Sequence, residues 1–260
     1  MDKLRILLTN DDGIHANGLY CLYNELKKDY EVRIVAPYSE MSAVGHAITL
    51  HSPLRVQEIY RDGSFYGYAI TGTPADCVKI AVQELLKDDP PDIVLSGINL
   101  GSNVGIDVLY SGTVSAATEG AYLGIKSAAL SLATRKDPDF SFASRFSRQV
   151  IKFLLNNHLE RGVALNVNIP AVPEEMIKGV VFTRQAITRY REYFEKRIDP
   201  RGNVYYWLAG EIIIDENGRA DTDIAALQNN MITITPISCD MTSNRELERL
   251  KKAQPFQWKL

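Results

Sequence analysis

The sequence predicts a doubly wound α/β fold on a mainly parallel sheet, followed by an extended, aromatic-rich element. Three observations predict it. Short apolar runs alternate with amphipathic stretches over residues 4–168, which is the pattern of repeated strand–helix units. The runs at 4–8 and 92–96 are short and dominated by leucine, isoleucine and valine, as expected of strands covered on both faces. Polar, glycine-bearing clusters follow several of these runs, where an open α/β sheet receives its ligands.

Taken in order, residues 4–8 read as the first strand and 17–28 as a helix, with Leu19, Leu22, Tyr23 and Leu26 at helical spacing. Residues 31–36 form the second strand, closed by Pro37, and a β pair is expected at 47–56 and 65–71 around the turn Arg61-Asp62-Gly63. Thr73-Pro74 opens the next helix with a hydroxyl cap and a proline at the first helical position, and Pro90-Pro91 enforces its end after about residue 87. A strand at 92–96, a small-residue helix at 112–123, a strand at 127–133, a helix at 142–155 and a strand at 163–168 complete the alternation. Beyond that, Tyr190, Tyr193, Phe194, Tyr205, Tyr206 and Trp207 crowd into a charged stretch, with Pro200-Arg201-Gly202-Asn203 as the turn between two extended arms. Such a pair cannot bury its aromatics alone, so it is expected to pack on the fold or on a second subunit. Residues 231–236 read as a last sheet strand and 243–252 as a terminal helix. The organisation is therefore a catalytic core at 1–185, an extended arm at 186–230, and a final strand and helix within 231–260.

Composition narrows the function. The 260 residues are 45% hydrophobic and 23% charged, with 29 basic and 32 acidic side chains mixed along the chain and a net charge of −3. No basic block stands out, so neither a nucleic-acid footprint nor a membrane-surface patch is indicated. An anionic substrate must be met locally, by a metal and backbone amides. No apolar run reaches the ~18 residues of a membrane helix, and the opening Met-Asp-Lys-Leu-Arg lacks leader features, which reads as a cytoplasmic protein. Cys21, Cys77 and Cys239 fit neither a disulfide framework nor a zinc spacing and are expected as buried free thiols.

Four clusters carry the candidate chemistry. Thr9-Asn10-Asp11-Asp12-Gly13 places adjacent carboxylates on a turn; either it is a solvated turn, or a hard divalent cation offsets their repulsion. Residues 38–46, with their hydroxyls and His46, read in isolation as an ordinary loop. Residues 96–105 hold three glycines and two asparagines, Asn99 and Asn103, which suggests a backbone that approaches a ligand closely without being a dinucleotide or P-loop motif. Ser111-Gly112-Thr113 opens a helix, as a plain cap or as a phosphate cradle of hydroxyls and free amides. Thr71–Asp76 reads as a structural helix start. Together the four clusters make a site for a metal and a phosphate.

These segments resemble the SurE (survival protein E) family of nucleotidases: TNDDGI at 9–14, VAPYSEMSAVGHAIT at 35–49, TGTPADCVK at 71–79, SGINLGSNVG at 96–105, YSGTVSAATEGA at 110–121 and FTRQ at 182–185. The resemblance implies a Rossmann-like core with a C-terminal arm that builds a homodimer or homotetramer. It implies hydrolysis of nucleoside 5′- and 3′-monophosphates, with some members also acting on short polyphosphate. It also implies one divalent cation per subunit, Mg²⁺ or Mn²⁺, held by Asp11, Asp12, Ser42 and Asn99, with Asp11 and Asp12 catalytic. Asn10, Asn99, Asn103, Ser111, Gly112 and Thr113 match positions near the phosphate. Tyr38, Met41, Leu100 and Ser102 stand where relatives carry other residues, none at a ligand position. Two other readings compete. An aspartyl-phosphate phosphatase would want Asp-x-Asp rather than adjacent carboxylates. A nucleotide-binding module without turnover leaves the carboxylate pair unexplained.

Overall fold

The computed structural model describes residues 3–134, 136–214 and 220–253. Its elements are, in chain order, β1 (Arg5–Thr9), α1 (Asn17–Leu26), β2 (Glu31–Pro37), β3 (Val56–Arg61), β4 (Ser64–Ile70), α2 (Pro74–Ile80), β5 (Ile93–Leu100), α3 (Asp107–Tyr110), α4 (Gly112–Tyr122), β6 (Lys126–Ala133), α5 (Ser141–Asn156), β7 (Val163–Pro170), β8 (Gly179–Phe182), β9 (Thr188–Ile198), β10 (Val204–Ile214), α6 (Asp223–Gln228), β11 (Met231–Ser238) and α7 (Asn244–Lys251). Nine strands form one sheet in the order β3-β4-β2-β1-β5-β6-β7-β11-β8. The six from β4 to β7 run parallel, while β3 and β11 pair antiparallel with their neighbours β4 and β7.

The chain winds outward from β1 through β2, then returns to place β5 on the other side of β1. The strand order reverses between β1 and β5, and ligands of open α/β sheets bind beyond the carboxyl ends of strands at such a point. Helices cover both faces, as the apolar strands require. On one face α1 and α5 pack over Ile6, Leu8, Ile93, Leu95 and Leu130, and on the other α2 and α4 cover Leu7, Val35, Val94 and Ala129. Each fully buried Leu or Ile contributes about 1.5–3 kcal/mol. Contact on the first face is close. A Cβ on Gly18 of α1 would lie 2.0 Å from the Ile98 carbonyl oxygen of β5, so any larger residue there would lift the helix from the sheet.

Three expectations need correction. Residues 47–55 are not a strand; the antiparallel pair is β3–β4, displaced toward the turn. The cause is the helix cap below it: Asp76 closes a capping box with Thr73 and also accepts from the Thr49 amide at 3.1 Å and its hydroxyl at 2.6 Å, while the Thr73 hydroxyl donates to the Ala47 carbonyl at 2.7 Å. These bonds pull the segment off the sheet, and Pro53 has no amide to offer a ladder. The helix expected to reach residue 87 stops being α-helical at Ile80 and continues to Leu85 as a wide turn, with the Leu86 amide on the Ala81 carbonyl at 2.8 Å. Of the thiols, only Cys77 is buried; Cys21 is half-buried, and Cys239, where the chain leaves β11, is exposed.

The two extended arms form a separate antiparallel ribbon, β9–β10, paired from Thr188↔Ile214 to Val204↔Ile198. Asp199 closes its turn by accepting from the Asn203 side-chain amide at 3.0 Å and from the backbone amides of Asn203 and Arg201, both at 2.8 Å, and these bonds, the Asn203 side chain first, hold its carboxyl below the usual range. The side chain of Tyr190 and residues 215–219 and 254–260 lie outside the described residues. The strand expected at 231–236 is β11, which enters the main sheet between β7 and β8. Among the described residues no helix is long and apolar enough to cross a membrane.

Candidate active site

The turn after β1 is built by its own side chains. Asn10 Nδ2 donates to the Gly13 carbonyl at 2.9 Å, and Gly13 takes φ +93°, a conformation that favours glycine. The turn is tied to the loop after β2 by the Met41 amide, which donates to the Asp11 carbonyl at 2.7 Å. The Asp11 side chain points at the start of α4, where its Oδ1 accepts from the Thr113 hydroxyl. The approach is tight: a Cβ on Gly112 would fall 2.7 Å from Asp11 Cβ. Burial pushes the Asp11 carboxyl up, against the Thr113 hydroxyl and the amides of Thr113 and Gly112, which favour its charge. Asp12 is pushed up to about 6, first by burial, then by the neighbouring Asp11 charge and that of Glu40, with the Leu100 amide at 3.3 Å acting the other way.

The remaining candidates come from the loops after β2 and β5 and from the start of α4. Ser42 donates to Glu40 Oε1 at 2.6 Å, and the next residue, Ala43, has φ +57°. Asn99 is the penultimate residue of β5, and its Nδ2 donates to the Gly101 carbonyl at 2.9 Å, leaving Oδ1 as the electron-pair donor of that side chain. Asn103 is buried, and its Nδ2 donates to Ser131 Oγ at 2.9 Å. Ser111 caps α4, accepting from the Val114 amide at 3.1 Å.

Asp11, Asp12, Ser42, Asn99, Asn103 and Ser111 all line one cavity of about 880 Å³. Asn10, Gly112 and Thr113 lie behind it: Asn10 shapes the turn, and the start of α4 is directed at Asp11. The cavity also takes in residues that sequence reasoning missed, namely Glu40, Asp107 and Tyr110, and Glu192 and Leu208–Gly210 from the ribbon. Glu40 sits two residues from Ser42 and its carboxylate was a usable signal; the ribbon residues had none, because only the tertiary fold brings them here. Five carboxylates therefore line this cavity, and no Lys, Arg or His does among the described residues.

Behind it, the buried Glu119 of α4 accepts from Lys79 Nζ at 2.6 Å and pairs with His46 Nε2 at 2.9 Å. His46 lies in the same loop as Ser42, so this hydrogen bond anchors that loop to α4.

The fold and site together define a class: a Rossmann-like α/β protein with an acidic, oxygen-rich cavity at its switch point. The family model described as Survival protein SurE matches residues 6–192. The chain belongs to the SurE family. It is 54% identical to the 5′-nucleotidase SurE of Syntrophus aciditrophicus (strain SB), over 95% of this chain and 93% of that one. It is 49% identical to the 5′-nucleotidase SurE of Syntrophobacter fumaroxidans, over 96% and 99% of the two chains. Among solved structures, that of the SurE protein from Aquifex aeolicus superposes with a TM-score of 0.81 at 39% identity, covering 95% of this chain and 98% of that one.

Proposed function

We propose that the protein is a divalent-metal-dependent phosphatase that hydrolyses nucleoside 5′- and 3′-monophosphates to nucleoside and inorganic phosphate, and short polyphosphate besides. The 5′-nucleotidase relatives support the nucleotide substrate. The observation that carries metal dependence is the charge of the cavity: Asp11 and Asp12 stand side by side in its lining, and among the described residues no basic side chain lines it to meet a phosphate dianion. A hard cation reconciles the two. Asp11 and Asp12 offer charged oxygens, and Ser42 and Asn99 neutral ones, in the same cavity, a donor set that suits Mg²⁺ or Mn²⁺ better than zinc. Among the described residues no three His, Cys, Asp or Glu side chains cluster as a metal site, so the two neutral ligands are part of the reading.

When bound, the cation supplies neutralisation of the phosphoryl charge and a water made more acidic. The chain's own residues do the rest. Asp12, in the lining of the same cavity, is the carboxylate placed to orient the attacking water and accept its proton. Thr113 and the α4 amides oppose the burial that raises Asp11, and the Thr113 hydroxyl fixes the ligand turn. Asn103 and Ser111 lie in the cavity to meet phosphoryl oxygens. Water adds at phosphorus, the P–O ester bond breaks, the ester oxygen leaves as a nucleoside hydroxyl carrying the proton that the water gave up, and inorganic phosphate takes the remaining charge. The ribbon is the expected contact of a homodimer or homotetramer. The test is phosphate release from a panel of nucleoside 5′- and 3′-monophosphates and a short polyphosphate, with Mg²⁺, Mn²⁺ or EDTA. Release that persists in EDTA would overturn the metal reading, and a metal-loaded enzyme that leaves every nucleotide intact would overturn the substrate.

A further inference from the structure

Two asparagines on β7 hold the main chain of Asn103 from outside any regular structure. The Asn103 amide donates to Asn168 Oδ1 at 2.7 Å. Its carbonyl accepts twice, from Asn168 Nδ2 at 3.0 Å and from Asn166 Nδ2 at 2.8 Å. The asparagine side chains thus do for this loop peptide what a neighbouring strand would do for a strand. The Asn103 side chain is set by a third partner, Ser131 of β6, which pairs in register with Asn168. One of the two Nδ2 hydrogens is used on Ser131; the other has no acceptor among the described residues and is the one a ligand oxygen would take.

All of these polar groups are buried in a sheet whose neighbouring positions, Leu165, Val167 and Ile169, are apolar. Asn166 bears a specific disadvantage: its Oδ1 is buried and has no hydrogen-bond partner among the described residues. A leucine there would fill similar space without that unpaired oxygen. Packing alone does not account for an amide at this position, whereas its single donated bond to the Asn103 carbonyl does. The bonds span 63 and 65 residues and tie the loop after β5 to a strand two places away in the sheet.

We propose that Asn168 and Asn166 are positioning residues that fix Asn103 against the phosphoryl group. This rests on the phosphatase reading above. They touch no substrate themselves and act through the Asn103 peptide. Misplacing a group that meets the reacting centre by about 1 Å is enough to slow a reaction on the order of 100-fold.

The experiment is a double-mutant cycle on the full-length, Mn²⁺-loaded protein, reading kcat, KM, inhibition by inorganic phosphate, and the melting temperature. Asn168→Leu is expected to lower kcat/KM roughly 10- to 100-fold and to weaken phosphate inhibition in parallel. Combined with Asn103→Ala, it should add little further loss, because its route to the substrate has already been removed. Asn166→Leu should show the same pattern more mildly, with the melting temperature held, since it also removes the unpaired oxygen; it carries the test if Asn168→Leu does not fold. Losses that multiply in full with Asn103→Ala would overturn the proposal, as would variants with altered melting but wild-type KM, kcat and phosphate inhibition. An inactive wild type overturns the phosphatase reading and this inference with it, whereas an active wild type with indifferent variants overturns this inference alone.

Discussion

Thr113, at the start of α4, donates its hydroxyl hydrogen to Oδ1 of Asp11, although the two stand 102 residues apart in the chain. The bond joins the helix expected to cradle phosphate to the turn expected to hold a metal. In the proposed reading Thr113 therefore acts on the metal side of the site. Removing its hydroxyl while keeping its shape, in Thr113→Val, deletes a hydrogen bond to a buried carboxylate, about 1.5–3 kcal/mol or roughly 10- to 150-fold in an equilibrium. Mn²⁺ affinity should weaken within that range, and phosphate release should fall at limiting metal and recover partly at saturation. Ser111→Ala, which removes a helix cap facing the cavity, should leave Mn²⁺ affinity unchanged. Isothermal titration with Mn²⁺ separates them, and equal metal affinity in Thr113→Val and wild type would refute the linkage.

The carboxylate pair gives an opposite signature in stability and in catalysis. Asp11→Asn and Asp12→Asn each remove one of two neighbouring charges that repel in the absence of metal, so the metal-free variants should melt at or above the wild-type temperature. Phosphate release should collapse in both, because an amide lacks the charge that retains a hard cation. Active variants with lowered melting temperatures would show that these residues merely shape a turn.

Asp12 also sets a pH dependence. Its folded-state value of about 6 lies above that of an unfolded aspartate, about 3.9, so between these values the folded chain binds more protons than the unfolded one. Metal-free stability should consequently be greatest below pH 4 as far as this group is concerned, and should fall as pH rises through 6. Asp12→Asn should flatten that fall. Metal should stabilise the wild type more at pH 7 than at pH 5, since at the lower pH a proton competes for the same oxygen. Melting curves across this range, with and without Mn²⁺, decide it; a metal shift independent of pH would contradict the assignment.

Much of the architecture was legible because it rests on local chemistry. Apolar runs such as 4–8 and 92–96 announce strands buried on both faces, and Thr73-Pro74 announces a helix start that the Thr73–Asp76 capping box realises. Segment 47–55 was misread for the complementary reason: its sequence is compatible with a strand, and only the distant Asp76 decides otherwise. The same division runs through the site. Asp11, Asp12 and Asn99 could be found because each follows a recognisable strand at the switch point. The contribution of Glu192 and Leu208–Gly210 could not, because it depends on where the ribbon lies over the sheet, and no local pattern encodes that. Nor could the hold of Asn166 and Asn168 on Asn103, since within β7 the two read simply as polar residues alternating in a strand.

The buried Glu119 offers a test of loop anchoring. Burial alone would raise its carboxyl, but hydrogen bonds from His46 and Lys79 outweigh that and hold it below the usual range. A carboxylate lowered in this way contributes stability above its unfolded value of about 4.3, and that contribution is lost as pH falls through the folded value. Glu119→Gln should lower stability by about 2 kcal/mol at neutral pH, less than a fully buried pair because Lys79 and His46 are each partly open to solvent. The loss should shrink toward pH 4. Because His46 lies in the loop bearing Ser42, the variant should also raise the metal concentration needed for half-maximal activity while leaving kcat at saturation near wild type. A stability loss with no change in metal requirement would show that the pair is only a core contact.

The ribbon makes the last prediction. Among the described residues strands β9 and β10 pair with each other and with no other strand, so no strand of the main sheet supplies their core. Cross-strand partners share a face, which puts Phe194, Leu208 and Glu192 on the side that borders the cavity, and Tyr193, Tyr205 and Trp207 on the other. Trp207 is 58% exposed and Tyr193 59%. An isolated two-stranded ribbon is marginal in water, and aromatic side chains this large contribute most when covered. A second copy of the chain covers them in the arrangement we expect, and static light scattering should then report a dimer or tetramer at micromolar concentration. Trp207→Glu, on the face away from the cavity, should shift the mass toward monomer while the sheet keeps its melting transition, since Trp207 contributes nothing to the buried core. The monomeric variant should keep its Mn²⁺ affinity, because Asp11, Asp12, Ser42 and Asn99 all come from one chain, and it should lose nucleotide affinity to the extent that assembly fixes the ribbon over the cavity. A wild type that scatters as a monomer, or a Trp207→Glu variant of unchanged mass, would remove the ribbon from the assembly.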